Sequence, residues 1–226
     1  MADKDQNLME KNNIIRAGVM GGNDGILSVS GIILGVAGAT SNTGAILLAG
    51  FAGTLAGMVS MAMGEYVSVS SQHDAQKKVQ NIQTKALKDN YQSEFDFVAE
   101  KYHEVGISQE LAEQATREMM TKDPLVTTVR ERYGFSPNSV LSAYSAAIAS
   151  FISFPLGSLL PMAAMAFSPQ AIREAATFLA VLVALAMTGY FAARLNGADK
   201  RHSMLRNVTA GIFTMLVTYF IGSLFR

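Results

Sequence analysis

The chain has no cysteine, which excludes disulfides and thiolate metal sites and leaves the redox compartment open. Its three histidines, His73, His103 and His202, are scattered, and no nucleophile-and-base arrangement stands out. Charge of one sign is not in excess either: 18 basic residues balance 18 acidic ones. There is therefore no global electrostatic case for nucleic acid or an acidic partner. No secretory signal is apparent, because the polar start through Asn13 leads into apolar sequence too long for a signal core, without a small-residue cleavage site. The glycine pairs fall inside apolar stretches rather than in a phosphate-binding strand-to-helix turn. An enzyme is not expected, and nothing asks for an organic cofactor.

What is present is a partition. Half of the 226 residues are hydrophobic, yet nearly all the charge lies before Asn23, between His73 and Arg132, and around Arg194 to Arg206. A spanning helix needs about 20 mostly apolar residues, and five stretches qualify: Ile14 to Ala39, Gly44 to Met63, Val140 to Phe167, Ala175 to Ala193, and Val208 to Phe225. The third contains Pro155 and Pro161 and reads as a bent helix. Ser136-Pro137 and Ser168-Pro169 each read as an N-cap followed by proline at the first helical position, starting a membrane helix. The expectation is an all-α membrane protein of five transmembrane helices with a cytoplasmic helical insert between helices 2 and 3. Its three parts are residues 1–72, 73–135 and 136–226.

Basic residues close to spanning segments are retained in the cytoplasm. Lys4, Lys11 and Arg16 precede the first span, Arg194, Lys200, Arg201 and Arg206 separate the fourth and fifth, and nine lysines and arginines lie between His73 and Tyr133. These place the N-terminus in the cytoplasm and the C-terminus outside. The insert reads as an extension of helix 2 over Asp74 to Lys88, then helices over Glu94 to Val105, Ser108 to Met120, and from Asp123-Pro124 to Gly134.

Two polar interruptions mark the first two spans, Gly21-Gly22-Asn23-Asp24-Gly25 and Met61-Ala62-Met63-Gly64-Glu65-Tyr66. A carboxylate at membrane depth is costly, so it reads by default as an ion, substrate or proton site. Met20, Asp24 and Ser28 share one helical face, as do Gly57, Met61 and Glu65; Ser158, Met162 and Met165 form a stripe on the third span. Hard carboxylate oxygens beside soft thioethers suit a borderline divalent metal such as Fe²⁺ or Mn²⁺ better than Ca²⁺ or Mg²⁺. Ordinary packing is the competing reading for each methionine. The glycines at four-residue spacing, Gly18/Gly22, Gly21/Gly25, Gly31/Gly35 and Gly53/Gly57, read first as close helix packing.

With those residues in view, the chain resembles the vacuolar iron transporter family. The matching signatures are Gly22-Asn23-Asp24-Gly25-Ile26 and the long run from Ser60 to Gln72. The resemblance implies a homodimer in a lipid bilayer that moves Fe²⁺, and often Mn²⁺, out of the cytoplasm in exchange for protons. It puts Asp24 and Met61 on the family's membrane metal positions. A further acidic position corresponds to Gly53 here. In the insert, the family's Glu-x-x-Glu pairs fall at Gln83 with Ala86 and at Glu94 with Phe97, and a later Met and Glu pair falls near Thr127 and Glu131. Only Glu94 of the first two pairs is a carboxylate. Other acids, Glu100, Glu104, Glu110 and Glu113, read as a solvated helix face.

The candidate metal ligands are thus Asp24, Met61, Glu65, Met162 and Glu94, with the divalent cation as substrate and protons as coupling ion. A non-transporting membrane scaffold or metal-binding regulator of the same fold, or the same carrier with a different cation, stands as the alternative. A chain this compact, without a long targeting extension, favours a prokaryotic inner membrane over a vacuole.

Overall fold

A computed structural model describes residues 2–138 and 141–226, with side chains from Leu8 onward. Each apolar stretch forms one helix. The described residues contain eight, with no strand: α1 (Ala2–Ala39), α2 (Thr43–Asp89), α3 (Tyr91–Glu104), α4 (Gln109–Lys122), α5 (Pro124–Tyr133), α6 (Ala143–Phe167), α7 (Arg173–Asn196) and α8 (Lys200–Ser223). Five of them, α1, α2, α6, α7 and α8, are long and apolar enough to cross a membrane. The chain divides into two compact units. One comprises Ser68–Ser142 with the start of α1 through Glu10, and the other Lys11–Val67 with Ala143–Arg226.

Hydropathy locates the spans but not the helix ends. α1 is already helical from Ala2, before the expected Ile14, and α8 begins at Lys200, before Val208. The polar residues there are acceptable helix formers outside the apolar run. Asp199 caps α8 by accepting from the Arg201 amide at 2.8 Å, which fixes the early start. The 47 residues of α2 form one helix about 70 Å long at ~1.5 Å per residue. As expected, Asp74 to Lys88 continues the second span.

Both Ser-Pro pairs are corrections. Ser136-Pro137 lies in the turn after α5, well before α6 begins at Ala143, and Val140, the expected first residue of that span, lies outside the described residues. Ser168-Pro169 sits where α6 stops: the Pro169 carbonyl accepts from the Ile172 amide at 3.0 Å, and α7 starts only at Arg173. Pro169 is thus the first residue of a turn closed by Ile172, not the first residue of a helix. What fixes the start of α7 is tertiary. Arg173, 2% exposed, donates to Thr43 Oγ1 at 2.7 Å and to the Ser41 carbonyl at 2.9 Å, tying α7 to the α1–α2 turn.

In the unit that holds the spans, α7 buries Thr177, Val181, Leu185, Gly189 and Ala193, and α6 buries Ala146, Ser150, Phe154 and Ser158. From these every-fourth-residue stripes, Phe154, Val181 and Leu185 meet Ile26, Val29, Ile33 and Leu34 of α1 in one core. Pro155 and Pro161 both lie inside α6. The glycines allow backbone-to-backbone approach. A Cβ on Gly25 would fall on the Phe154 carbonyl, one on Gly157 on the Gly22 carbonyl, and one on Gly222 on the Gly35 carbonyl. α1 is thereby seated against both α6 and α8.

In the other unit, α3, α4 and α5 close around Val98, Met120 and Val129. Asn90 caps α3 through the Ser93 amide at 3.1 Å, and Asp123 caps α5 through the Val126 amide at 2.9 Å. Gly106 and Gly134 follow α3 and α5 with φ of 97° and 75°, left-handed conformations that favour glycine.

Candidate functional site

Consecutive residues of the first motif point to different neighbours. Asn23 Oδ1 accepts from Thr188 Oγ1 and from Asn207 Nδ2, each at 3.1 Å, linking α1 to α7 and α8. Gly25 lies on the α6 backbone at Phe154. Asp24, between them, is half-buried and accepts from Ser28 Oγ at 2.7 Å. The shared face of Asp24 and Ser28 is thus a direct contact. With α1 held on two sides by Asn23 and Gly25, the rotation that presents Asp24 is fixed by packing.

On α2, Met61 is half-buried and packs with Met58 and Met162 against the core that includes Phe154, Ile33 and Ile46. Gly57, one turn earlier, lets the Phe154 ring lie against the α2 backbone, and the Met162 sulfur abuts Gly50. Gly53 faces Ile32, with 2.5 Å between a would-be Cβ and Ile32 Cδ1. Met61 and Met162 therefore meet at one core, whereas Met165 is fully enclosed in it.

Glu65 is 7% exposed and bound by Arg16, whose guanidinium lies 2.9 Å from Oε2 and 3.5 Å from Oε1. The same guanidinium donates to Asn13 Oδ1 at 3.1 Å and contacts Met20 Sδ at 3.3 Å. Sequence reasoning singled out both ends of this pair without joining them. Arg16 registered as a basic residue orienting the first span, and Glu65 as a separate candidate ligand.

Glu94, in the other unit, is 8% exposed, and its Oε2 accepts from Gln83 Nε2 at 2.6 Å and from Arg132 at 3.0 Å. The Arg132 guanidinium stacks 3.8 Å over the Phe97 ring. Gln83, Glu94 and Phe97 are three of the four positions at which the resemblance places acidic pairs, and here an arginine of the same chain joins them. Thr127 is buried and donates to the Met119 carbonyl at 3.2 Å. Asp96, Glu100, His103, Gln109 and Glu113 line an open cleft between α3 and α4. Among the described residues no three carboxylate, histidine or cysteine side chains converge as a metal cluster.

Glu131 gathers three donors: Tyr102 Oη at 2.8 Å, Arg130 Nε at 2.8 Å and Lys101 Nζ at 3.4 Å. Burial pushes its carboxyl up, but the Tyr102, Arg130 and Lys101 contacts outweigh burial and hold it below the usual carboxylate range. Burial, with the neighbouring carboxylate, raises the Tyr102 hydroxyl. A carboxylate with a depressed folded-state pKa stabilises the fold above its unfolded pKa and loses that contribution as pH falls through the folded one. Amide protection in α3 and α5 is therefore expected to drop as the pH falls below the ordinary carboxylate range, and Glu131→Gln to flatten that dependence. Protection that is unchanged across that window in the unaltered protein would refute the linkage.

Comparison with known proteins adds an independent observation. The model of the VIT family matches residues 15–223. The chain is 31% identical over 211 residues to the "Vacuolar iron transporter" of Acanthamoeba castellanii (strain ATCC 30010 / Neff), covering 93% of this chain and 78% of that one. It is 32% identical over 206 residues to "Vacuolar iron transporter homolog 3" of Arabidopsis thaliana, covering 91% and 80%. It is 33% identical over 212 residues to "Vacuolar iron transporter homolog 1" of Oryza sativa subsp. japonica, covering 93% and 73%.

Proposed function

The chain belongs to the VIT family and is an integral membrane protein, and from that premise we propose that it exports Fe²⁺ or Mn²⁺ from the cytoplasm in exchange for protons. Its relatives carry the names of iron transporters, and metal transport is the general function that accords with them. The observation carrying the finer reading is Asp24: a half-buried carboxylate inside an apolar helix, presented by packing on both flanks and hydrogen-bonded to Ser28. Asp24 supplies the charge and Met61 a thioether, with Met162 and Glu65 contributing along the same path. Oxygen with thioether favours a borderline metal over Ca²⁺ or Mg²⁺.

The protein acts as a homodimer with the path between subunits, its N-terminus in the cytoplasm and its C-terminus outside, in a prokaryotic inner membrane. Glu94 enters as a carboxylate that any metal would share with Arg132 and Gln83. That sharing motivates the second reading, a scaffold of the same fold that does not transport.

Purified protein in liposomes under a pH gradient separates the readings. Fe²⁺ and Mn²⁺ are expected to cross faster than Zn²⁺ and Co²⁺, and collapsing the gradient should slow them. No flux of any of the four above protein-free liposomes would favour the scaffold. Faster Zn²⁺ or Co²⁺ flux would point to a different cargo.

A further inference from the structure

The Arg16 guanidinium is surrounded by an unusual set of acceptors. Two Glu65 carboxylate oxygens lie at 2.9 and 3.5 Å, an amide oxygen of Asn13 at 3.1 Å and the Met20 thioether at 3.3 Å. Hard oxygens with one soft sulfur form the donor set that a borderline divalent metal takes, and all of them converge on one positive charge. The two charged partners are not equally held. The Glu65 side chain is 8% exposed and that of Arg16 is 47% exposed, so the carboxylate is enclosed by the protein while the guanidinium sits at the surface of the chain on a flexible stem. Withdrawing the guanidinium with nothing in its place would leave Glu65 a nearly buried, uncompensated charge, so Arg16 can leave only as another cation arrives. Met20 also lies one helical turn from Asp24 on the same face of α1.

We propose that Arg16 is a tethered counter-ion occupying an entry site for a divalent transition metal built by Glu65, Met20 and Asn13, and that the incoming ion displaces it. The proposal rests on the transport reading for its purpose, although the site is defined by these contacts alone. Glu65 is neutralised at every stage, first by the guanidinium and then by the metal. A monovalent ion has to replace a two-pronged guanidinium contact with a single charge, and so competes poorly. The Met20 sulfur adds a preference for Mn²⁺ or Fe²⁺ over Ca²⁺. From this mouth the next carboxylate along α1 is Asp24.

The test is Mn²⁺ binding to the full-length protein in detergent, in an Asp24→Asn background so that the deeper carboxylate is silent. Arg16→Gln is expected to tighten Mn²⁺ binding about tenfold, because the metal no longer displaces a bound cation. Adding Glu65→Gln should abolish the gain, and adding Met20→Leu should reduce it. Unchanged or weaker binding in Arg16→Gln would overturn the proposal and leave Arg16 as a static clamp between α1 and α2. If Arg16→Gln does not fold, Arg16→Lys takes its place. A single ammonium gives up the forked contact, so a smaller tightening is expected, and no tightening again overturns the proposal. The outcome is separable from the transport reading. Liposome flux with no tightening keeps the exporter and removes the entry site, whereas tightening without flux keeps the site and removes the exporter.

Discussion

Asp24→Asn is expected to lower Mn²⁺ flux into liposomes under a pH gradient by about a hundredfold or more, equivalent to at least ~2.7 kcal/mol of lost stabilisation along the path. The substitution is nearly isosteric, and the Asn carbonyl oxygen can still accept from Ser28 Oγ, which now lies 2.7 Å from the carboxylate. Folding should therefore survive, so that lost flux reports charge rather than structure. A divalent ion leaving water needs compensating charge at the point where the wall becomes apolar. On α1 that charge is Asp24, since the remainder of the helix to Ala39 has no other ionisable group. Asp24→Glu should retain part of the flux, because it keeps the charge while moving it by one methylene. Flux equal to the unaltered protein in Asp24→Asn would remove this carboxylate from the path.

Gly157→Ala is expected to destabilise the protein by about 3 kcal/mol, at the upper end for overpacking, and to lower its thermal midpoint in detergent accordingly. The added methyl would meet the Gly22 carbonyl oxygen, with the Gly22 carbonyl carbon at 2.9 Å and its Cα at 3.1 Å. These are backbone atoms of a packed helix, and no rotamer change relieves the overlap. α1 and α6 must move apart two residues from Asp24, so flux should fall as well. Gly18→Ala is the matched comparison, since nothing lies within 4 Å of its Cβ position. There the change should be stabilising by roughly 0.5–1 kcal/mol, from helix propensity alone. Equal midpoints for the two variants would contradict the interlocked packing of α1 on α6.

The five spans were legible because each is an uninterrupted apolar run, and the cost of unpaired backbone in lipid leaves the helix as the conformation available to such a run. Their ends were not, because capping and tertiary anchors set them: Asp199 starts α8 outside the apolar run, and Arg173 positions α7 through partners 130 and 132 residues away. The Ser-Pro pairs misled because one dipeptide serves turns and helix starts equally. Within the site, the Asp24–Ser28 contact was readable from four-residue spacing. Arg16 with Glu65, separated by 49 residues, and Glu94 with Arg132, separated by 38, were not, because charge patterning along a chain does not say which opposite charges meet. The glycine spacings signalled close packing but not its partner. Gly21 and Gly25 face α6, and Gly31 and Gly35 face α8.

The arginine stacked on Phe97 bears on what the unit of α3, α4 and α5 needs in order to fold. Its nearly buried acid, Glu94, is neutralised by Arg132 of the same chain, so no added cation is required to offset that charge.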